Sequence, residues 1–235
     1  MPTTAPCPVY SPKQLSFSSA TRIHESFVAS PEKRLLVALA ERAPAWLNSD
    51  HLTILGFVSQ CLAGVCYALA RLHPFALLLG IIFIALNWLG DSLDGTLARV
   101  RNRQRPRYGF YVDHVTDTIA ALFLMGGMAL SGYVYPGIAL GLLIAFLMLS
   151  IEAYLATYTL GRFQLSYFKF GPTEIRILLA IGNLALLWHP TVRFFGRTLL
   201  VFDLGGSIAI LAMGIMLIVS AIRHTAQLYR EERLS

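Results

Sequence analysis

Apolar residues along this chain come in long runs, with polar residues gathered between them, rather than in the short alternation of strands or the heptads of a coiled coil. Six runs, at 52–72, 74–100, 110–132, 134–158, 173–190 and 204–223, each approach the ~20 residues a helix needs to cross a bilayer. They predict an all-α integral membrane protein with six transmembrane helices. Ahead of them, Ser30-Pro31-Glu32-Lys33 reads as a helix start, with Ser30 as N-cap, Pro31 at the first helical position and Glu32 in the first turn. Leu35, Leu36, Val37 and Leu39 then alternate with Lys33, Arg34, Glu41 and Arg42, which predicts an N-terminal amphipathic helix lying on the membrane surface. The organisation expected is a cytoplasmic tail over 1–29 without the apolar core of a signal peptide, a juxtamembrane helix over 30–50, a membrane domain over 51–225 and a cytoplasmic tail over 226–235.

Composition agrees with that pattern: 56% of the 235 residues are hydrophobic and 14% are charged, which argues against a soluble enzyme. The net charge of +6 does not signal nucleic acid, because the basic residues sit in short loops between apolar runs, where topology and anionic head groups account for them. With both termini inside, all 19 Lys and Arg except Arg71, Arg193 and Arg197 fall on the cytoplasmic side. Cys7, Cys61 and Cys66 make no disulfide framework, and the last two read as small packing residues.

The pattern breaks in one place. Asp91-x-x-Asp94-Gly95-x-x-Ala98-Arg99 ends the second run, and Gly109-x-x-x-Asp113-x-x-x-Asp117 begins the third, so four of the 13 acidic residues lie inside spans. Intramembrane carboxylates cost several kcal/mol unless neutralised, and so point to function with a partner to be named. Asp91, Asp94 and Ala98 fall within about 60° of one another on a helix, and Asp113 and Asp117 share a face of the next one. A loop containing Arg101, Arg103, Arg105 and Arg107 joins the two spans, which places both pairs at similar depth in the cytoplasmic half of the bilayer. Clustered carboxylate oxygens suit hard cations such as Mg²⁺ or Mn²⁺, and two such ions clamp a diphosphate well. Gly95 and Gly109 would let a nucleotide approach the backbone, although small residues in membrane helices also serve close packing.

This constellation resembles the signature of the CDP-alcohol phosphotransferase family, Asp-x2-Asp-Gly-x2-Ala-Arg, a spacer, then Gly-x3-Asp-x3-Asp. Asp91, Asp94, Gly95, Ala98, Arg99, Gly109, Asp113 and Asp117 match its fixed positions, with a nine-residue spacer that falls in the loop. Gly171-Pro172-Thr173-Glu174-Ile175-Arg176 is similar to the start of the family's fifth span, and Ser49-Asp50-His51-Leu52-Thr53 stands where members usually have a Pro-Asn-x-x-Thr-like lead-in to the first. The resemblance implies that Asp91, Asp94, Asp113 and Asp117 hold two metal ions and that Asp117 is the general base on the acceptor hydroxyl. It implies that Asp91, Gly95, Ala98, Arg99 and Gly109 line the CDP site, that CMP is released, and that the protein is a homodimer. It implies an enzyme of phospholipid synthesis, and the Lys and Arg asymmetry places the site on the cytoplasmic side.

Several residues keep two readings. Arg162, Lys169 and Arg176 could form a basic pocket for a phosphorylated acceptor, which favours CDP-diacylglycerol as donor; Arg162 and Lys169 could equally be ordinary loop charges. Asn87 extends the polar stripe from Asp91 or bonds across helices, and His114 beside Asp113 points from another side of its helix. Glu152, alone in its span, needs a partner, with Arg162 and Arg176 as candidates. Gly137-x3-Gly141 is a small-residue packing pattern. The alternatives are transfer from CDP-choline or CDP-ethanolamine to diacylglycerol, a membrane prenyltransferase, and an ion or proton transporter. A prenyltransferase predicts Asp-rich motifs on separated helix pairs, and a transporter predicts acids spread across the bilayer.

Overall fold

The computed structural model of the protein describes residues 21–23, 29–164, 171–194 and 196–233. Among these, β1 (Thr21–Ile23) is followed by α1 (Ala29–Arg42), α2 (Ser49–Ala70), α3 (Ala76–Val100), α4 (Pro106–Leu130) and α5 (Pro136–Leu160). Then come β2 (Arg162–Gln164), α6 (Pro172–Trp188), β3 (Thr191–Phe194), β4 (Arg197–Leu200) and α7 (Val201–Glu231). The helix boundaries have local causes. Proline occupies the first turn of α4, α5 and α6, where its missing N–H costs nothing. The C-cap of α5 is Gly161, with φ of 65°, a left-handed conformation that glycine adopts without strain. At the start of α6 the Glu174 carboxylate reaches back 2.9 Å to the Gly171 N–H.

α2 packs against both α3 and α4; α3 packs on α6, α4 on α5 and α5 on α7. The order around the bundle is therefore α6-α3-α2-α4-α5-α7, and α6 meets α7 where the Phe202 ring lies on Gly182. Glycines allow the tightest crossings. A Cβ on Gly90 of α3 would sit 2.5 Å from the Gly56 nitrogen of α2, and one on Gly127 of α4 would strike the Gly64 carbonyl. Gly127→Leu is accordingly expected to destabilise the protein by about 1–3 kcal/mol, read as a lower melting temperature in detergent; an unchanged melting temperature would contradict this close approach. Tyr67, Leu77, Ile84, Leu124, Met128 and Leu186 form the main apolar cluster. Within the bundle the Tyr67 hydroxyl donates to the Asn183 side-chain oxygen at 2.8 Å.

The outer faces carry exposed Ile82, Leu122, Ile151 and Ile208, an apolar surface suited to lipid. α2, α3, α5 and α7 are each long and apolar enough to cross a membrane, so the protein is a multi-pass membrane protein. The two other expected spans are helices as well: α4 interrupts its apolar sequence with Asp113, His114 and Asp117, and α6 has 17 residues.

Five details differ from the sequence reading. α1 begins at Ala29, so Ser30 lies inside it, and it stops at Arg42 rather than running to residue 50. Pro44 disfavours continuation, and Arg101 holds the bend by donating to the carbonyls of Ala43, Pro44 and Leu47. α1 also turns Leu36 and Ala40 onto Leu52, Leu93 and Leu97 instead of keeping its whole apolar face for the bilayer. α7 continues unbroken past residue 225, and an unexpected hairpin, β3 antiparallel to β4, turns at Gly196 with φ of 78°.

Candidate functional site

The four aspartates arrive from two helices that both pack on α2. Single carboxylate oxygens of Asp91 on α3 and of Asp113 and Asp117 on α4 all lie within 4.8 Å of one another. Three acids this close repel unless a cation stands among them. From α6, the Arg176 guanidinium supplies one positive charge, with Nη2 2.6 Å from Asp91 Oδ2 and Nε donating to Asn87 Oδ1 at 2.8 Å. Asn87 is held in turn by its amide N–H groups, which donate to the Gly56 carbonyl and to Gln60 Oε1, both at 3.0 Å. Its readings as an extension of the polar stripe and as an interhelical bond are therefore both realised.

Asp94 stands outside the group of three. Sixty degrees around α3 from Asp91, it turns toward α2, where its Oδ2 accepts from Thr53 Oγ1 at 2.7 Å and its backbone carbonyl accepts from Ser49 Oγ at 3.0 Å. Its other oxygen takes the Gly95 N–H. Thr53 and Ser49 are thus part of the site, and so is Gln60. Their spacing, Ser49, Thr53, Gly56 and Gln60, is a helical stripe of polar and small residues that periodicity along α2 contains.

The expected nucleotide-side residues cluster at the end of α3 and the start of α4. Arg99 donates to Thr96 Oγ1 at 2.9 Å, and Ala98 is half-buried beside it. Among the described residues a Cβ on Gly109 would meet nothing within 4 Å, so packing of the described helices does not explain that glycine. The connecting loop is anchored to the start of α2 by an Arg105–Asp50 ion pair. His114 Nδ1 lies 2.6 Å from the Phe110 carbonyl and 3.9 Å from Asp113 Oδ2, and its ring sits between those of Phe110 and Tyr154, with centroids 4.1 and 4.8 Å away. It faces α5.

The three expected acceptor residues part company. Arg176 is committed to Asp91 and Asn87, Arg162 opens β2, and Lys169 lies outside the described residues. Glu152 does not pair with Arg176: its Oε1 is 2.5 Å from His224 Nδ1, because this face of α5 packs on α7, whereas Arg176 is turned to α3. Gly141 of the small-residue pattern meets Ile210 of α7, at 2.9 Å from a built Cβ, so that pattern packs within the chain.

The sequence profile of the CDP-alcohol phosphatidyltransferase family matches residues 46–224, from just ahead of α2 into α7. The chain belongs to that family. Cholinephosphotransferase 1 of Gallus gallus is 30% identical over 99 residues, which make up 40% of this chain and 29% of that protein. The match thus spans less than a third of that relative's length. Members of that family act on CDP-linked substrates and alcohol acceptors in membranes and typically depend on a divalent metal. The oxygen donors of Asp91, Asp113 and Asp117 fit such a hard cation.

Proposed function

We propose that the protein transfers the substituted phosphoryl group of CDP-diacylglycerol to the hydroxyl of a polar, phosphorylated alcohol, releasing CMP. The observation that carries the reading is the meeting of three carboxylates from α3 and α4 beside a guanidinium from α6. In this reading α2 to α7 form six spans over 51–225, both termini and the site are cytoplasmic, and the enzyme is a homodimer. Asp91, Asp113 and Asp117, with Asp94 from the α2 side, would hold Mg²⁺ or Mn²⁺, in all two ions. Bound there, the ions supply charge that grips the diphosphate and stabilises the oxygens around the reacting phosphorus. Gly95, Ala98, Arg99 and Gly109 line the CDP side. Asp117 takes the proton of the acceptor hydroxyl. The freed oxygen bonds to the phosphorus bearing the diacylglycerol, the bond from that phosphorus to the bridging oxygen breaks, and the electron pair leaves with CMP.

Arg176 supports the choice of acceptor. It brings a permanent positive charge to the carboxylate group, and its Nη1, which bonds to neither Asp91 nor Asn87, would take a phosphate on the acceptor. Arg176→Ala is expected to raise the acceptor KM about 10-fold or more with the donor KM little changed, and Arg162→Ala and Lys169→Ala to raise it less. An unchanged acceptor KM in all three would contradict a phosphorylated acceptor.

A second reading has its own support, the similarity to a cholinephosphotransferase: transfer from CDP-choline or CDP-ethanolamine to diacylglycerol. The deciding experiment compares CMP release in liposomes from CDP-diacylglycerol with glycerol phosphate or inositol phosphate against release from CDP-choline or CDP-ethanolamine with diacylglycerol. Turnover confined to the first set supports the main reading, and turnover confined to the second replaces it.

A further inference from the structure

Glu32 is a buried acid that the site described above leaves unused. It lies on α1, ahead of the family-matched residues 46–224, and only 8% of it is exposed. Its Oε1 accepts from Trp88 Nε1 at 2.7 Å, from Thr173 Oγ1 at 2.9 Å and, more distantly, from Ser92 Oγ at 3.4 Å. One oxygen therefore gathers three helices. Trp88 and Ser92 are one turn apart on α3, and Ser92 adjoins Asp91; Thr173 is one turn before Arg176 on α6. Hydrogen bonds to a carboxylate are stronger than neutral ones, so this node resists sliding of α6 along α3.

The node is more than α1 docking. Leu36 and Ala40 already seat α1 on Leu52, Leu93 and Leu97 through apolar contact. A carboxylate burdens that interface: Oε2 of Glu32 is buried with no hydrogen-bond partner among the described residues, and removing a charged oxygen from water is costly. What the bonds accepted by Oε1 gain is a fixed relation between the turn of α3 that bears Asp91 and the turn of α6 that bears Arg176.

We propose that Glu32 is a positioning residue for phosphoryl transfer: it locks the first turn of α6 to α3, so that the Arg176 guanidinium is presented to Asp91 and the acceptor. This deepens the proposed function and rests on its reading of Arg176.

The test uses the full-length protein in liposomes with two readouts. The first is the acceptor KM of Glu32→Ala, Glu32→Gln and Thr173→Val, alone and combined with Arg176→Ala. Glu32→Ala should raise the acceptor KM about 10-fold, Glu32→Gln should stay near wild type because its amide oxygen accepts the same bonds, and Glu32→Ala should add nothing once Arg176 is gone. The second, independent of turnover, is the distance distribution between spin labels at Val100 on α3 and Ile175 on α6, both exposed. It should broaden in Glu32→Ala and not in Glu32→Gln. An unchanged distribution in Glu32→Ala overturns the proposal, as does a KM effect that persists in full without Arg176. If the distribution broadens while Arg176→Ala itself leaves the acceptor KM unchanged, the lock stands and it is the acceptor reading of Arg176 that fails.

Discussion

Asp117→Asn is expected to lower turnover by a factor of about 10²–10⁴ while CDP-donor binding stays within a few-fold of wild type, because a general base contributes to the rate on that order. The substitution keeps the side chain's shape and one carbonyl-type oxygen but removes its capacity to take a proton. Asp117 lies one helical turn from Asp113 on α4, and the two offer oxygens to the same group of three with Asp91. Asp113 remains to hold a cation in the variant. Steady-state CMP release alongside equilibrium binding of a CDP-linked donor separates the two effects. Loss of donor binding as large as the loss of turnover would mean that Asp117 acts only as a metal ligand.

Asp91→Asn should divide its effects the other way. Asp91 sits on α3 between the Arg176 guanidinium, 2.6 Å away, and the two acids of α4. Neutralising it removes one ligand of the proposed cation set and leaves Arg176 without its carboxylate partner. Metal-supported donor binding is expected to weaken by about 10-fold or more, the order that losing a charge-assisted interaction implies, and raising Mg²⁺ should recover part of the loss. A donor affinity that stays at the wild-type value at every Mg²⁺ concentration would contradict a role for Asp91 in holding the metal and the diphosphate. Equal loss of donor binding in Asp91→Asn and Asp117→Asn would overturn the division of labour between them.

The carboxylate pairs and the helices that carry them were legible in the sequence because both are local. Spacings of three and four residues put Asp91 near Asp94 and Asp113 near Asp117 on their own helices, and apolar runs locate α2 to α6 and the start of α7 to within a few residues. What periodicity does not contain is which helix each face meets. Asp94 bonds to Thr53 across 41 positions, Arg176 to Asp91 across 85, His224 to Glu152 across 72 and Thr173 to Glu32 across 141. Each is a choice between neighbours made by packing, and so Glu152 looked suited to Arg162 or Arg176, whereas the group it meets is His224. The sharing of α1 between lipid and α3 has the same origin, since Leu35 and Leu36 are equivalent in hydropathy and only tertiary contact buries the second.

The most direct test of the central claim, a metal-dependent transfer at the α3–α4 carboxylates, is acceptor-dependent CMP release by the purified wild-type protein in liposomes, with divalent metal present, then chelated, then restored. The account predicts release that requires both a CDP-linked donor and an alcohol acceptor, stops with EDTA and returns on adding Mg²⁺ or Mn²⁺. Release that continues undiminished in EDTA, in folded protein that binds the donor, would contradict it.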